Sequence, residues 1–315
     1  MILSVSRRTD IPSYYSEWIY NRIKEGFLYV RNPMNSHQIS KIDLSPEIVD
    51  CIVFWTKNPE PMIARLAEIE KYKYYFQFTI TSYGSDIEKN LSNNKNEILQ
   101  TFKKLSKKIG KEKVIWRYDP IFISNKHTYD YHIKAFSEMV QMLSGYTEKV
   151  VISFVDIYKK TRINMSKIQM MIIDDSLMMK FALGLSKIAA KNNMIIETCA
   201  ENIDLSEYGI ENGHCIDKNL IKRIVGCQIN VGKDKNQRHE CGCVESIEVG
   251  AYNTCLNGCK YCYANLNNEK VLANYNRYDS FSPLLCSKVT ELDKITARKV
   301  KSIKVKNQQL NFLSK

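Results

Sequence analysis

Short apolar runs alternate with helical patterns along most of the chain, and this alternation limits the fold more than any other feature. Runs at residues 2–6, 51–55, 74–80, 113–117, 150–154, 194–198 and 244–249 read as strands. The run Cys51-Ile52-Val53-Phe54-Trp55 is continuously apolar, as expected of a strand covered on both faces. Helical patterns fall between the strands: 12–25 closed by Gly26, 60–71 after Asn58 and Pro59, and 98–109 with Ile98, Phe102, Leu105 and Ile109 on one face. Others run to Gly145 from Ile133, over 175–192, over 217–225 and over 263–275. Such alternation implies a parallel sheet with helices outside. This many units predicts an α/β fold organised as a full or partial (β/α) TIM-like barrel. Residues 27–44, around Asn32-Pro33, read as a hairpin or ordered insertion. A single barrel domain is expected over 1–275. Residues 276–315, with weak periodicity, form a basic C-terminal extension that drapes over the barrel or is partly disordered.

The 315 residues are enough for one large core. No run of eighteen apolar residues occurs, so no membrane helix is expected. The N-terminal stretch lacks the order of a signal peptide, and a cytoplasmic protein follows. In that reduced compartment the ten cysteines are not expected to form disulfides, and their clustering suggests metal ligation. Eight of them lie between Cys199 and Cys262. Cys51 reads as core packing, and so does Cys227 beside Gly226. The net charge of +12 fits an anionic substrate or nucleic acid. The excess is mostly lysine spread over helices, so nucleic acid is open as a partner but not favoured.

Nearly every strand ends in polar or reactive side chains. The ends read Ser6-Arg7-Arg8-Thr9-Asp10, Trp55-Thr56-Lys57-Asn58, Gln77-Phe78-Thr79, Trp116-Arg117-Tyr118-Asp119, Phe154-Val155-Asp156 and Glu197-Thr198-Cys199. In a parallel barrel these ends open on one face, where such folds place their chemistry. Arg7, Lys57 and Arg117, with Arg8, predict a cationic mouth suited to carboxylates or phosphates. Asp10, Asp119 and Asp156 are expected to pair with those cations. Arg7, Asp10, Lys57, Arg117 and Asp119 are the catalytic candidates. An ion-pair network that only closes the top of the fold is the rival reading for each.

Cys255-Leu256-Asn257-Gly258-Cys259-Lys260-Tyr261-Cys262 places three thiols at CxxxCxxC spacing after the last strand. Three soft thiolates can hold three corners of a cubane iron–sulfur cluster and leave one iron open. Gly258 permits a tight turn. No histidine lies near the loop, which disfavours a zinc knuckle.

This motif, with an aromatic before its last cysteine, resembles the signature of the radical S-adenosylmethionine superfamily. The resemblance implies that Cys255, Cys259 and Cys262 ligate a [4Fe-4S] cluster whose open iron binds S-adenosylmethionine. One electron then cleaves the sulfonium to methionine and a 5′-deoxyadenosyl radical that abstracts hydrogen from substrate. It also implies that Tyr261 lies near the adenine; Tyr261 and Asn265 are the cofactor-binding candidates. An electron donor such as flavodoxin or ferredoxin is implied as a partner. The superfamily normally carries its motif after the first strand, so the position here implies a circular permutation. The chain also resembles the bacterial family called domain of unknown function 1848, through Ser6-Arg7-Arg8-Thr9-Asp10-Ile11-Pro12, Phe54-Trp55-Thr56-Lys57-Asn58-Pro59, Trp116-Arg117-Tyr118-Asp119-Pro120, Ser153-Phe154-Val155-Asp156 and Cys241-Gly242-Cys243 through Asn265. That resemblance implies no substrate.

Cys199, Cys215, Cys241 and Cys243 have the right number of thiols for a second, fully protein-ligated iron–sulfur cluster. A structural Cys₄ zinc site is the alternative. His214 and His239 are substitute ligands. Residues 233–238 read as solvated surface or a lid beside that site. Three functions therefore compete: a radical S-adenosylmethionine enzyme of unknown substrate, a nucleic-acid modifying or repair version of the same chemistry, and a zinc-stabilised binding protein without catalysis.

Overall fold

Hydrogen bonding between strands organises the chain around one eight-stranded sheet. The computed structural model describes residues 1–156, 159–166 and 168–305. In chain order the strands are β1 (Ile2–Val5), β2 (Phe27–Arg31), β3 (Gln38–Asp43), β4 (Cys51–Thr56), β5 (Tyr74–Thr79), β6 (Val114–Ile121) and β7 (Ile123–Ser124). They continue with β8 (Lys149–Phe154), β9 (Met170–Met171), β10 (Ile195–Thr198), β11 (Glu211–Asn212), β12 (Ile247–Glu248) and β13 (Lys294–Ala297). The large sheet has the order β11-β10-β8-β6-β5-β4-β1-β12. Every neighbouring pair in it is parallel. The α/β class expected from the alternation is therefore present. Among the described residues no ladder joins β11 to β12, so the strands form a parallel sheet with two edges.

Side chains alternate across this sheet with period two. On one face Leu3, Phe54, Phe76, Trp116 and Ile152 are buried in the main core, with residues of the helices Ser16–Glu25, Lys95–Ile109, Tyr129–Leu143 and Asp175–Lys191. On the other face Ile2, Val53, Tyr75, Ile115 and Val151 are buried with Ile216, Leu220, Ile221 and the thiols of Cys215, Cys241 and Cys243. Both faces are covered, which is why the strands read as continuous apolar runs. Along the second face the character changes towards the C-terminal ends. Ile2 gives way to Ser4 and Ser6, Tyr75 to Gln77, Ile115 to Arg117, and Val151 to Ser153. The strand register thus carries the polar side chains to one end of the sheet.

Several elements differ from their sequence expectation. The helix expected over 12–25 is two pieces, Ile11–Tyr14 and Ser16–Glu25, and the first is capped by the Asp10 carboxylate accepting from Ser13 N at 3.1 Å. The helix expected over 60–71 is Glu60–Ile63 followed by a 3₁₀ turn at Leu66–Ile69. There the Met62 carbonyl accepts from both Arg65 N and the Tyr20 hydroxyl, which favours three-residue steps. The helix expected over 263–275 is Asn268–Tyr275, because the Asn267 side chain accepts from Lys270 N and sets its start. The strand expected over 244–249 is only Ile247–Glu248.

The hairpin expected near 27–44 is present: β2 and β3 pair antiparallel. The C-terminal segment adds β13 parallel to β3. The same segment accepts hydrogen bonds from Trp18 Nε1 at Ser282 O (2.8 Å) and from Arg22 Nη2 at Phe281 O (2.9 Å). The last ten residues of the extension expected over 276–315 lie outside the described residues. Among the described residues no helix is long and apolar enough to cross a membrane.

Trp116 is fully buried, stacks on Phe136 at 5.2 Å and donates its indole N–H to Ile80 O at 3.1 Å. Trp116→Ala is expected to destabilise the fold by about 3–5 kcal/mol, read as a lower urea midpoint.

Candidate functional site

A cavity of about 470 Å³ opens at the C-terminal ends of the parallel strands. The segments after β1, β4, β8 and β10 and the C-terminal ends of β5 and β6 reach it, and the loop after β12 forms one wall. It gathers Arg7, Asp10, Lys57, Arg117 and Asp119 with Tyr261 and seven cysteines: Cys199, Cys215, Cys241, Cys243, Cys255, Cys259 and Cys262. Asn265 does not line it. Its amide instead donates to Cys255 O at 2.7 Å, so it shapes the cysteine loop from behind.

That loop is clamped by the segment 87–90. Lys260 N donates to Ile87 O at 2.9 Å, Asn90 N to Asn257 O at 3.1 Å, and Asn90 Nδ2 to Leu256 O at 2.7 Å. Gly258 has φ +66°, and a Cβ there would meet Asn90 Nδ2 at 3.0 Å. Glycine is needed both for the backbone angle and for the close approach. Asn257 is held from its other side by the Tyr14 hydroxyl (2.8 Å), and it donates to Asp10 Oδ2 at 3.2 Å. Burial pushes the Cys255 thiol up to about 12 and the Cys259 thiol well above its usual range. Buried thiols of this kind give up their protons when a metal replaces them.

The expected pairing of acids with cations is partly different from the arrangement found. Arg117 binds Asp119 in a two-point contact, with Nε to Oδ1 at 3.1 Å. Asp156 is bound by Arg238. Among the described residues no cationic side chain donates a hydrogen bond to Asp10. It accepts from Lys57 N (2.7 Å), Ser13 N and Asn257, and burial raises its carboxyl despite those bonds. It thus ties the end of β4 and the cysteine loop to the turn after β1.

The carboxylate that holds Lys57 is Glu88, 1 % exposed. Lys57 Nζ donates to Oε1 at 2.8 Å and Lys95 Nζ to Oε2 at 3.0 Å. The Thr81 hydroxyl donates at 2.8 Å, and the Tyr261 hydroxyl is the fourth donor. Burial alone would raise this carboxyl, but Lys57 and Lys95 outweigh it and hold it down at about 2. Lys57 Nζ also lies 5.6 Å from the Tyr261 ring centroid. Nothing in the sequence singled out Glu88. It lies in a largely polar loop, and its partners include Lys57 and, 173 residues further along the chain, Tyr261 of the cysteine loop.

The other four thiols form a chain of sulfur contacts. Cys199 and Cys215 are 3.1 Å apart, and Ile216 N donates to Cys243 Sγ at 3.3 Å. A hydrogen bond from Cys243 draws the Cys241 thiol down to about 7. Arg117 Nη1 donates to Cys215 Sγ at 2.7 Å. Tyr75 and Gln77 both donate to Cys215 O at 2.8 Å. Gly242, between Cys241 and Cys243, lets the His214 ring pack close: a Cβ there would lie 2.5 Å from that ring, and the exposed histidine would have to turn away. Neither His214 nor His239 lines the cavity, and the His239 side chain is 97 % exposed. Among the described residues no histidine lines the cavity, so its soft donors are the seven thiols, beside the carboxylates of Asp10, Asp119 and Asp156. Within the loop expected over 233–238, Asn236, Gln237 and Arg238 line the cavity. Among the described residues no three His, Cys, Asp or Glu side chains converge on a single-ion site. A cluster's ligands attach to separate irons and need no common point.

The family model described as Domain of unknown function (DUF1848) matches residues 2–264. This chain belongs to that family. The matched span includes every cavity-lining residue of this DUF1848 protein and ends at Ala264, one residue before Asn265. No curated protein matches. A solved structure, that of a candidate alpha-L-fucosidase from Bacteroides thetaiotaomicron VPI-5482, is similar at 12 % identity with a TM-score of 0.23. It covers 65 % of this chain and 78 % of its own. At that TM-score the likeness carries no argument.

Replacing Glu88 by Gln is expected to cost about 3 kcal/mol, since it leaves two lysines around a neutral amide. In the parent protein the Glu88 contribution is complete above its ordinary value of 4.5 and lost as pH falls towards about 2. Urea midpoints measured from pH 7 down to 2.5 should therefore fall more steeply for the parent than for E88Q.

Proposed function

We propose that this DUF1848 protein is a radical S-adenosylmethionine enzyme carrying a [4Fe-4S] cluster on Cys255, Cys259 and Cys262 and a second iron–sulfur cluster on Cys199, Cys215, Cys241 and Cys243. The carrying observation is that both thiol sets line one cavity at the C-terminal ends of one parallel sheet. The seven thiols of the two sets are soft donors, which fits iron–sulfur chemistry. When bound, the first cluster and S-adenosylmethionine supply a one-electron cleavage that yields a 5′-deoxyadenosyl radical for hydrogen abstraction.

The strand order supports a permuted (β/α) barrel as the scaffold. Read from β12, the sheet runs β12, β1, β4, β5, β6, β8, β10, β11. That is the chain order with the last strand moved to the front. The strand before the cysteine loop therefore occupies the place of a first strand, where the superfamily carries its motif.

The protein's own residues divide the work by side of the cavity. Lys57 and Tyr261, locked by Glu88, stand beside Cys259 and give that wall a fixed cation and a fixed aromatic face. Asp10 orients Asn257 and thereby the loop backbone. Arg117 places positive charge against Cys215. A small reduced protein of flavodoxin or ferredoxin type would deliver the electron.

Protein purified without oxygen is expected to be brown, with about eight irons and about eight sulfides per chain. Dithionite with S-adenosylmethionine should then release 5′-deoxyadenosine. Cys259→Ala should abolish that product and leave about four irons on the second set. Colourless protein holding zinc and no iron overturns the reading.

A further inference from the structure

Among the described residues five cations line the cavity: Arg7, Arg8, Lys57, Arg117 and Arg238. Four of them are already engaged. Lys57 is bound to Glu88, Arg117 to Asp119 and Cys215, and Arg238 to Asp156. Arg8 donates to Gly250 O at 3.4 Å and lies over the Tyr252 ring. Arg7 differs. Its Nη2 is buried with no hydrogen-bond partner among the described residues. Its guanidinium is fixed by the face of Trp55, 5.1 Å from the ring centroid, and Arg117 approaches the same ring at 5.3 Å. The Trp55 ring is itself pinned by its N–H to Ser4 Oγ at 3.1 Å.

Among the described residues no carboxylate in the wall is left to answer Arg7. Asp119 and Asp156 are paired, and Asp10 is filled by backbone and amide donors. Glu248, the acid whose charge acts on Arg7, takes its hydrogen bonds from neutral donors and none, among the described residues, from the Arg7 guanidinium. Oε2 accepts from Ser4 Oγ (2.9 Å) and Arg7 N (3.0 Å), and Oε1 from Gly250 N (3.0 Å). A guanidinium held rigid in a buried wall with an open N–H is arranged for an incoming anion. Arg7 lies near Cys215 and Cys243, and its carbonyl accepts from the hydroxyl of Tyr263, the residue after Cys262, at 2.9 Å.

We propose that Arg7 is an anion-binding residue for the second substrate, which carries a carboxylate or phosphate group that docks on the four-thiol side of the cavity. The substrate role rests on the enzyme reading above; the anion site itself does not need it.

The test titrates inorganic phosphate and citrate separately into the anaerobically purified protein, its R7Q and R7K variants, and S-adenosylmethionine into the same three. At least one anion should bind saturably, weaken about tenfold or more in R7Q, and recover in part in R7K, where the charge remains. S-adenosylmethionine affinity should change less than about twofold in R7Q. A tenfold loss there overturns the proposal, because it assigns Arg7 to the cofactor's carboxylate. Equal anion binding in R7Q, or none in the parent protein, also overturns it, as it would if the four-thiol set already consumed the Arg7 charge. A measurement on the unaltered protein guards against a variant that fails to fold. Phosphate or citrate should slow phenylglyoxal modification of Arg7, mapped by mass spectrometry, and absence of protection by either refutes the site. Anion binding that depends on Arg7 in a zinc-only, colourless protein would overturn the enzyme reading and leave this one standing.

Discussion

A buried carboxylate with four donors, Glu88, is the interaction on which the rest of the site depends. It joins Lys57 at the end of β4, Thr81 after β5, Lys95 at the start of a helix and Tyr261 from the cysteine loop. Chain segments far apart in sequence therefore meet on one group that cannot be left half satisfied. The cost of burying the charge is offset only when both lysines and the loop are in place. The cysteine loop is thus locked onto the sheet by electrostatics as well as by its backbone bonds to residues 87–90.

The second organising constraint is the period of the strands. Side chains two apart share a face, so the residues that are apolar near the start of each strand lead to polar ones at its end. Ile115, Arg117 and Asp119 follow one another in this way, as do Tyr75, Gln77 and Thr79. Because all neighbours are parallel, those ends coincide, and a polar cavity forms over an apolar floor. The thiols of Cys215, Cys241 and Cys243 are buried on that same face, where Arg117 reaches Cys215.

Much of this arrangement is legible in the order of residues along the chain. The continuous apolar runs mark the strands, because a sheet covered on both faces leaves no polar alternation. The repetition of Arg, Lys, Asp and Cys at strand ends marks the mouth, and the cavity gathers Arg7, Lys57, Arg117 and Asp119 with the cysteines. Other assignments are not legible there. Asp10 has the look of a partner for a cation and is instead a binder of backbone N–H groups. Asn265 has the look of a cavity residue and instead holds the loop from behind. The helix start at Asn267 and the short β12 depend on which side chain captures which N–H, a choice that periodicity does not encode. Glu88 carries no signal at all, since an isolated acid in a polar loop is ordinarily solvated.

By itself the sequence determined the α/β class, the thiol spacing of the cysteine loop and the face on which the reactive residues gather. These follow from local rules: side-chain period, turn chemistry and the order of elements along the chain. Only the tertiary structure decided which cations of the cavity are paired, that Arg7 Nη2 has no hydrogen-bond partner among the described residues, that two separate thiol sets share one cavity, and that β12 lies next to β1. Those outcomes depend on contacts between residues far apart along the chain, where burial and geometry, not residue type, determine whether a charge is paired.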